Sequence, residues 1–538
     1  MQYLKEQETH IFYKIKMIFE LLSSFAFILF IVIYFIQKKQ RQNLPPSPTA
    51  LPIIGHLHLL RPLIHHSFRD ISSRYGPLIY LKLGSVPCVV ASTPELAKEF
   101  LKTHELTFSA RKRSIAIDHL TYNSSFAFSP YGPYWRFIKK ISAFELLGNR
   151  MLNQFLPIRR KELLHFLQGF YAKSKAGESV NVTHELVKLS NNIISQMMLS
   201  MSSCETESEA EIARTVIREV TQIFGEFNVS DFIWFCENID FQGFRKRIDH
   251  TFNKYDGLLE KLITEREKQR KKNKSDGVKH EAMNFLDIML DVMEDETAEM
   301  KLTRDHIKAL LLDFLTAATD TTAVTLEWAL AELINQPQVL AKAREEINRV
   351  IGNERIVQES DNPNLPYIQA ILKETFRLHP PIPMVARKSI QDCKISGYKI
   401  PANCLLFVNM WSIGRDPKYW KNPLQFEPER FLQSSKEDSL TSCIDIRGQH
   451  YQLLPFGTGR RSCPGIALAM QELPTTLAAM IQCFDWKVIN PPGMKNNGDG
   501  NVVDMTERPG LTAPRVHDLV CTPVPLLPNL IDPSCENY

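Results

Sequence analysis

The stretch Pro455-Phe-Gly-Thr-Gly-Arg-Arg-Ser-Cys-Pro-Gly465 constrains this chain more than any other. It sets Cys463 in a glycine-rich loop that opens directly into a helical run, Ile466 to Leu473. A thiolate near a helix N-terminus is stabilised by the dipole and by unpaired N–H groups. Gly457, Gly459 and Gly465 carry no side chains, so the backbone can approach a flat ligand and aim N–H groups at sulfur. Arg461 places a fixed cation just before the sulfur, suited to pairing with a carboxylate. A haem needs an axial ligand, close backbone approach and a counter-charge for its propionates, and this loop offers all three. Most cysteines are buried structural thiols. The spacing F-x-x-G-x-R-x-C-x-G reverses those odds.

The remaining sequence is that of a globular protein. With 44% hydrophobic and 23% charged residues over 538 positions, a disordered chain, a collagen and a polytopic membrane protein are all excluded. The balance of 64 Lys+Arg against 60 Asp+Glu leaves +4, which is no nucleic-acid footprint. Ten cysteines are scattered with no CxxC pair, which argues against zinc ribbons and disulfide scaffolds and fits a reducing compartment.

One segment departs from the soluble pattern. Residues 17–36 read MIFELLSSFAFILFIVIYFI, long enough at about 1.5 Å per residue to span a bilayer core. Gln37, Lys38, Lys39 and Arg41 follow, where a signal peptide would show a small-residue cleavage site. The basic flank predicts a retained single-pass anchor with the body on the cytosolic side. The acceptor patterns at Asn123, Asn181, Asn228 and Asn273 then go unglycosylated. Residues 1–16 read as an N-terminal extension and 37–55 as a basic, proline-rich hinge stiffened by Pro45, Pro46, Pro48 and Pro52. Residues 56–538 read as one catalytic domain, since no linker divides them.

The expected fold class is α+β, mostly helical. Short β-rich runs, Leu78–Leu81 and Cys88–Val90, predict a small N-terminal sheet. Amphipathic helical pattern dominates from about 130 to 390, and strands return afterwards. The charged run from Thr264 to Glu281 reads as a solvated helix end and loop.

With these residues in view, Phe456, Gly459, Arg461, Cys463 and Gly465 are seen to resemble the haem-binding signature of cytochrome P450. The resemblance implies haem b with Cys463 as thiolate ligand to iron, O2 as co-substrate and NADPH electrons delivered through NADPH-cytochrome P450 reductase. It also implies a place in the endoplasmic reticulum membrane. Other segments match in family order. Glu374 and Arg377 resemble the E-x-x-R pair and Arg430 the arginine of the PERF-type segment, together a structural ion network. Trp135 and Lys139 resemble the W-x-x-x-R/K motif, and Arg387 another arginine that meets a haem propionate. The long run from Thr303 to Gln336 carries Ala317-Ala318-Thr319-Asp320-Thr321-Thr322, similar to the oxygen-binding motif. There Thr321 is the catalytic alcohol and Asp320 the proton relay. Threonine hydroxyls bonding a preceding carbonyl are expected to bend the helix and open a polar notch, which Ala318, departing from the family glycine, narrows without removing a donor or acceptor.

The expected substrate pocket is apolar, with Phe126, Phe314, Ala317, Ala318, Val385 and Leu511 lining it. This suits an aromatic or terpenoid skeleton. PPSPTALPIIGHLHLL, NLPYIQAILKETFRLHPPIP and MTERPGLTAP resemble plant flavonoid-pathway monooxygenases of the flavone synthase II and flavanone 2-hydroxylase group. That implies a flavanone such as naringenin, oxidised at C2, then losing hydrogen at C3 to give a flavone or retaining oxygen as a 2-hydroxyflavanone. Isoflavone synthases carry a lysine where this chain has Ala386, and Gly and Ser in place of Ala318 and Thr321. A pterocarpan hydroxylase shares most of the framework. A haem-thiolate rearrangement enzyme or haem sensor is the alternative of another class, and the pairing of Asp320 with Thr321 weighs against it.

Overall fold

The computed structural model describes residues 43–199, 207–276, 284–432, 444–489 and 502–532, with a few residues between 14 and 24. Apart from those few, the extension 1–16 and the anchor 17–36 lie outside the described residues, as does the hinge from 37 to 42. From Asn43 onward the proline-rich segment is tied to the body: Tyr80 N–H donates to Pro46 O at 2.9 Å and Lys399 N–H to Asn43 O at 2.7 Å.

Eleven helices of nine residues or more are formed by the described residues. They are α1 (Ile64–Tyr75), α2 (Pro133–Ile141), α3 (Leu156–Lys175), α4 (Val182–Leu199), α5 (Glu207–Gly225), α6 (Phe244–Ser275), α7 (Phe285–Glu294), α8 (Arg304–Asn335), α9 (Pro337–Val350), α10 (Pro366–Leu378) and α11 (Ile466–Cys483). Proline at the first position starts α2, α9 and α10, where its missing N–H costs nothing. The long helix α8 is capped by Thr303, whose hydroxyl accepts from His306 N–H while the His306 ring reaches back to Thr303 N–H. Its 32 residues span about 48 Å and stop before Pro337, close to the length the sequence predicts. Among the described residues it alone is long and apolar enough to cross a membrane, but 72% of that window is buried within the protein. It is a core helix, packed against α4, α10 and α11.

The predicted small sheet is present and larger. Strands β1 (Leu78–Leu83) and β2 (Val86–Ala91) pair antiparallel; β2 runs parallel to β7 (Leu405–Asn409), which pairs antiparallel with β4 (Met384–Lys388). Alternation assigns the faces. Ile79, Leu81, Cys88 and Val90 pack with Phe68 of α1, while Leu78, Val89, Ala91 and Val408 pack on the other side with Phe100 and Phe108. A hairpin, β5 (Cys393–Ile395) with β6 (Tyr398–Ile400), and a sheet ordered β3 (Val180–Asn181), β9 (Val520–Pro525), β8 (Phe484–Val488) complete the strands.

The charged run after Thr264 is, as expected, a mostly solvated helix end over the described residues, with one buried exception. It continues α6 to Ser275, and Arg270 is only 4% exposed. Its guanidinium donates to Asp287 O at 2.8 Å and pairs with Asp291, while Arg266 holds the Asp287 carboxylate. The carboxylates lie on α7, beyond residues 277–283, which are outside the described residues.

Candidate active site

The cysteine loop is held by its own backbone. Cys463 N–H donates to Phe456 O at 2.9 Å and Ser462 N–H to Gly459 O at 3.0 Å. Gly459 has φ of 70°, and a Cβ there would stand 2.2 Å from Glu105 Oε1, so glycine is required. Gly465 precedes the first turn of α11, and its N–H donates to the Cys463 sulfur. The residue as a whole is partly exposed. Burial nonetheless pushes the thiol above its ordinary value, against the pull of Gly465 N–H, Lys139 and Arg111. The sequence predicts a stabilised thiolate; the folded chain by itself disfavours one, because desolvation outweighs dipole and cation. A bound metal ion deprotonates a coordinating thiol outright.

Around the loop stands a cluster of cations that bond only to carbonyl oxygens. Arg461 donates to Ser109 O at 3.0 Å and to Ser129 O, leaving Nη1 buried without a partner. Arg387, in β4, donates to Ala386 O at 2.9 Å and Arg461 O at 3.4 Å. Lys139, on α2, donates to Ser462 O at 3.2 Å. The Arg461 guanidinium lies 4.6 Å from the Trp135 ring, itself stacked on Phe126. Burial and mutual repulsion push Arg387 well below the usual range and Arg461 down to about 10. The sequence reading missed a fourth member, Arg111, whose Nε is also buried without a partner. Such a cluster is costly without anions. Two carboxylates on a flat ligand lying against the cysteine loop fit it, so these residues suit a haem.

Behind the loop the ion network is assembled. Arg377 donates to Glu374 through Nε and Nη2, both at 2.7 Å, with both side chains fully buried. It also donates to Gly414 O, Pro423 O and Gln425 O at 2.5, 2.6 and 2.9 Å. Arg430 reaches Glu374 Oε1 at 3.1 Å. Phe376, between the paired residues on α10, meets Phe456 edge-on at 5.4 Å, which couples the network to the loop.

Helix α8 is buried on most of its surface, yet Asp313, Thr316, Ala317, Asp320 and Thr321 are partly or fully exposed. These positions recur with helical period and make one accessible stripe. Thr321 Oγ1 donates to Ala317 O at 2.7 Å and Thr316 Oγ1 to Leu312 O at 2.7 Å, so the threonines satisfy themselves on carbonyls four residues back. The helix continues without a break. Burial raises the Asp320 carboxyl, opposed by Arg218 and Arg508. Asp313, also missed, is pushed up to about 6 by burial while accepting from Ser125 Oγ at 2.7 Å and Ala127 N–H at 3.2 Å. It ties the 108–128 loop to α8.

Not all predicted lining residues share this space. Phe314 turns toward Phe285 of α7, 5.9 Å between rings, into the helical core. Val385 packs with Phe108 and Val408 in the sheet-side core. Phe126 lies beneath Trp135 in the main core, and Ala318 packs partly against it. Ala317 is exposed, and Leu511 is 39% exposed.

Comparison with known proteins shows the family. The Cytochrome P450 family model matches residues 45–512. Cytochrome P450 93B2 of Gerbera hybrida is 58% identical over 94% of this chain and 96% of its own. The 2-hydroxyisoflavanone synthase of Glycyrrhiza echinata is 49% identical over 89% and 91%, and the 3,9-dihydroxypterocarpan 6A-monooxygenase of Glycine max 48% over 93% and 96%. A solved zebra fish cytochrome P450 with progesterone superposes with a TM-score of 0.69 at 26% identity, covering 86% of this chain and all of that one.

Proposed function

Because the chain belongs to the cytochrome P450 family, whose members use haem with a cysteine thiolate ligand, we propose that it is a flavonoid-pathway monooxygenase that oxidises flavanones at C2. The carrying observation is a cysteine loop beside a cluster of buried cations that bond carbonyl oxygens or leave a nitrogen without a partner; the accessible stripe on α8 that bears Asp320 and Thr321 supports it. When bound, the haem supplies the O2-activating chemistry that removes hydrogen from carbon. Cys463 would supply its thiolate to the iron, and Arg111, Lys139, Arg387 and Arg461 would hold its propionates. Thr321 Oγ1, now bonded to Ala317 O, is the exposed hydroxyl of the α8 motif that can hand on a proton. Asp320, whose raised carboxyl binds a proton more readily than a surface aspartate, refills it from the Arg218 and Arg508 side.

The substrate reading rests on relatives whose names place isoflavanones and pterocarpans among their substrates or products, and on the exposed apolar side chains of Ala317 and of Leu511, whose hairpin is bonded to Trp328 two turns along α8 from Thr321. Ala386 stands exposed on β4 beside Arg387, where isoflavone synthases carry a lysine. That favours loss of the C3 hydrogen over aryl migration. Flavanone, O2, NADPH and a proton give flavone, NADP+ and two waters; retention of one oxygen atom at C2 gives 2-hydroxyflavanone and one water. Electrons enter from NADPH-cytochrome P450 reductase. The apolar run 17–36 and its basic flank support single-pass anchoring in the endoplasmic reticulum with the body in the cytosol.

The test is turnover of naringenin by membranes holding this protein and a reductase, with products separated before and after acid. Flavone before acid establishes desaturation, and flavone only after acid makes the enzyme a 2-hydroxylase. A normal reduced-plus-CO spectrum with no flavanone turnover overturns the substrate.

A further inference from the structure

Residues 506–516 form a tight hairpin. Val516 N–H donates to Thr506 O at 2.8 Å, Arg508 N–H donates to Pro514 O at 2.9 Å, and Glu507 bridges Arg515 between them. Leu511 sits at the apex. The end of α5 presses on it: a Cβ on Gly225 would lie 2.4 Å from Leu511 N. Ala513 is fixed by its N–H to Pro381 O and by its carbonyl to Trp328 Nε1 of α8, both at 2.9 Å.

The two sides of the base are pinned to different parts of the protein. Arg515 reaches Glu327 of α8 at 3.4 Å. Glu507 accepts from His65 Nε2 at 2.7 Å, His66 Nε2 at 3.1 Å and Trp411 Nε1 at 2.8 Å, with its side chain 7% exposed. A carboxylate only accepts, so both imidazoles carry their proton on Nε2. The two histidines lie in the first turn of α1, and Asn409, at the end of β7, holds His65 O at 2.8 Å. The ligand atoms of His65, His66 and Glu507 lie within 4.8 Å of one another, a spacing a metal could use. The surroundings argue against a divalent ion. Arg415 lies 4.0 Å and Arg69 5.6 Å from the Trp411 ring, and Arg415 already draws on the Glu507 charge. The arrangement is a carboxylate latch between a pocket hairpin, α1 and the segment following β7.

We propose that Glu507 is a positioning residue for substrate. It fixes the base of the hairpin that sets Leu511 against the end of α5 and bonds Trp328, on the face of α8 that carries Thr321, and it thereby sets substrate affinity while leaving haem chemistry untouched. The substrate part rests on the flavanone reading above; the latch does not.

The test uses the full-length holoenzyme in membranes. Glu507→Gln keeps the shape and loses the charge. Its naringenin dissociation constant, from the substrate-induced spectral shift, rises about tenfold, the usual effect of losing charge-assisted hydrogen bonds, while the rate at saturation stays within about twofold. His66→Ala gives a smaller rise, and His66→Gln, which restores an N–H donor, reverses it. Leu511→Ala and Glu507→Gln combined are less than additive, since both act through one hairpin. Amide hydrogen exchange across 505–515 accelerates in Glu507→Gln with no substrate present. Unchanged affinity, additive effects, or a fall in rate matching the loss of affinity overturns the proposal. If wild type binds no flavanone, the substrate reading fails, and the exchange rate alone decides the latch: unchanged exchange refutes it.

Discussion

Arg377→Lys probes the link between fold and cysteine loop. Arg377 makes five hydrogen bonds, two to Glu374 and three to carbonyls, from a fully buried side chain. Lysine keeps the charge but has three donors and no planar fork. At least two acceptors are left short, at about 1–3 kcal/mol each. Glu374 keeps Arg430 Nε and the Glu427 backbone N–H at 2.7 Å, so it is not a bare buried charge. The expected cost is about 4 kcal/mol. Arg430→Gln, by contrast, gives up bonds to Glu374, to the half-exposed Glu427 and to Lys421 O but leaves the Arg377–Glu374 pair intact, a loss of about 2 kcal/mol. The assay follows the reduced-plus-CO band through a urea titration of each variant, with free energies from midpoint and slope. Phe376 and Phe456 carry the damage to the loop, so Arg377→Lys loses the thiolate band at lower urea than Arg430→Gln. Equal midpoints, or a cost under about 1 kcal/mol for Arg377→Lys, refute the reasoning.

Three further outcomes are expected. Cys463→Ala abolishes the thiolate-haem band in the reduced-plus-CO spectrum; a surviving band removes Cys463 as ligand. Thr321→Ala keeps haem but consumes NADPH without matching product, and unchanged coupling excludes that hydroxyl from proton delivery. Arg508→Gln removes a cation that opposes the raised Asp320 carboxyl. Neutral Asp320 is then favoured further, so the Asp320 inflection in the pH profile of turnover moves to higher pH; a shift downward or none contradicts the relay.

Local pattern made much of this legible. Helix α8 was readable because Thr303 caps it, Pro337 stops it and its motif residues are consecutive. The E-x-x-R pair follows from helical spacing alone. What the sequence concealed depends on partners distant in the chain. Arg111 looks like any basic residue until folding sets it near Arg387 and Arg461. Arg266 and Arg270 read as solvated because Asp287 and Asp291 lie on another helix. Phe314 belongs to a helix buried on several sides, so apolar character could not say which neighbour it meets. The Cys463 thiol illustrates the same limit: the helix start and nearby cation were visible, but the desolvation that outweighs them was not.

The central claim is that oxidation begins at C2 of a flavanone, and naringenin carrying deuterium at C2 tests it most directly. Membranes with this protein and a reductase are given that substrate, NADPH and O2, and the products are weighed by mass spectrometry. The account predicts label-free flavone or 2-hydroxyflavanone, formed from the labelled substrate several-fold more slowly than from unlabelled naringenin in direct competition, a discrimination that label at C3 does not produce. A principal product that retains deuterium at C2 would contradict it.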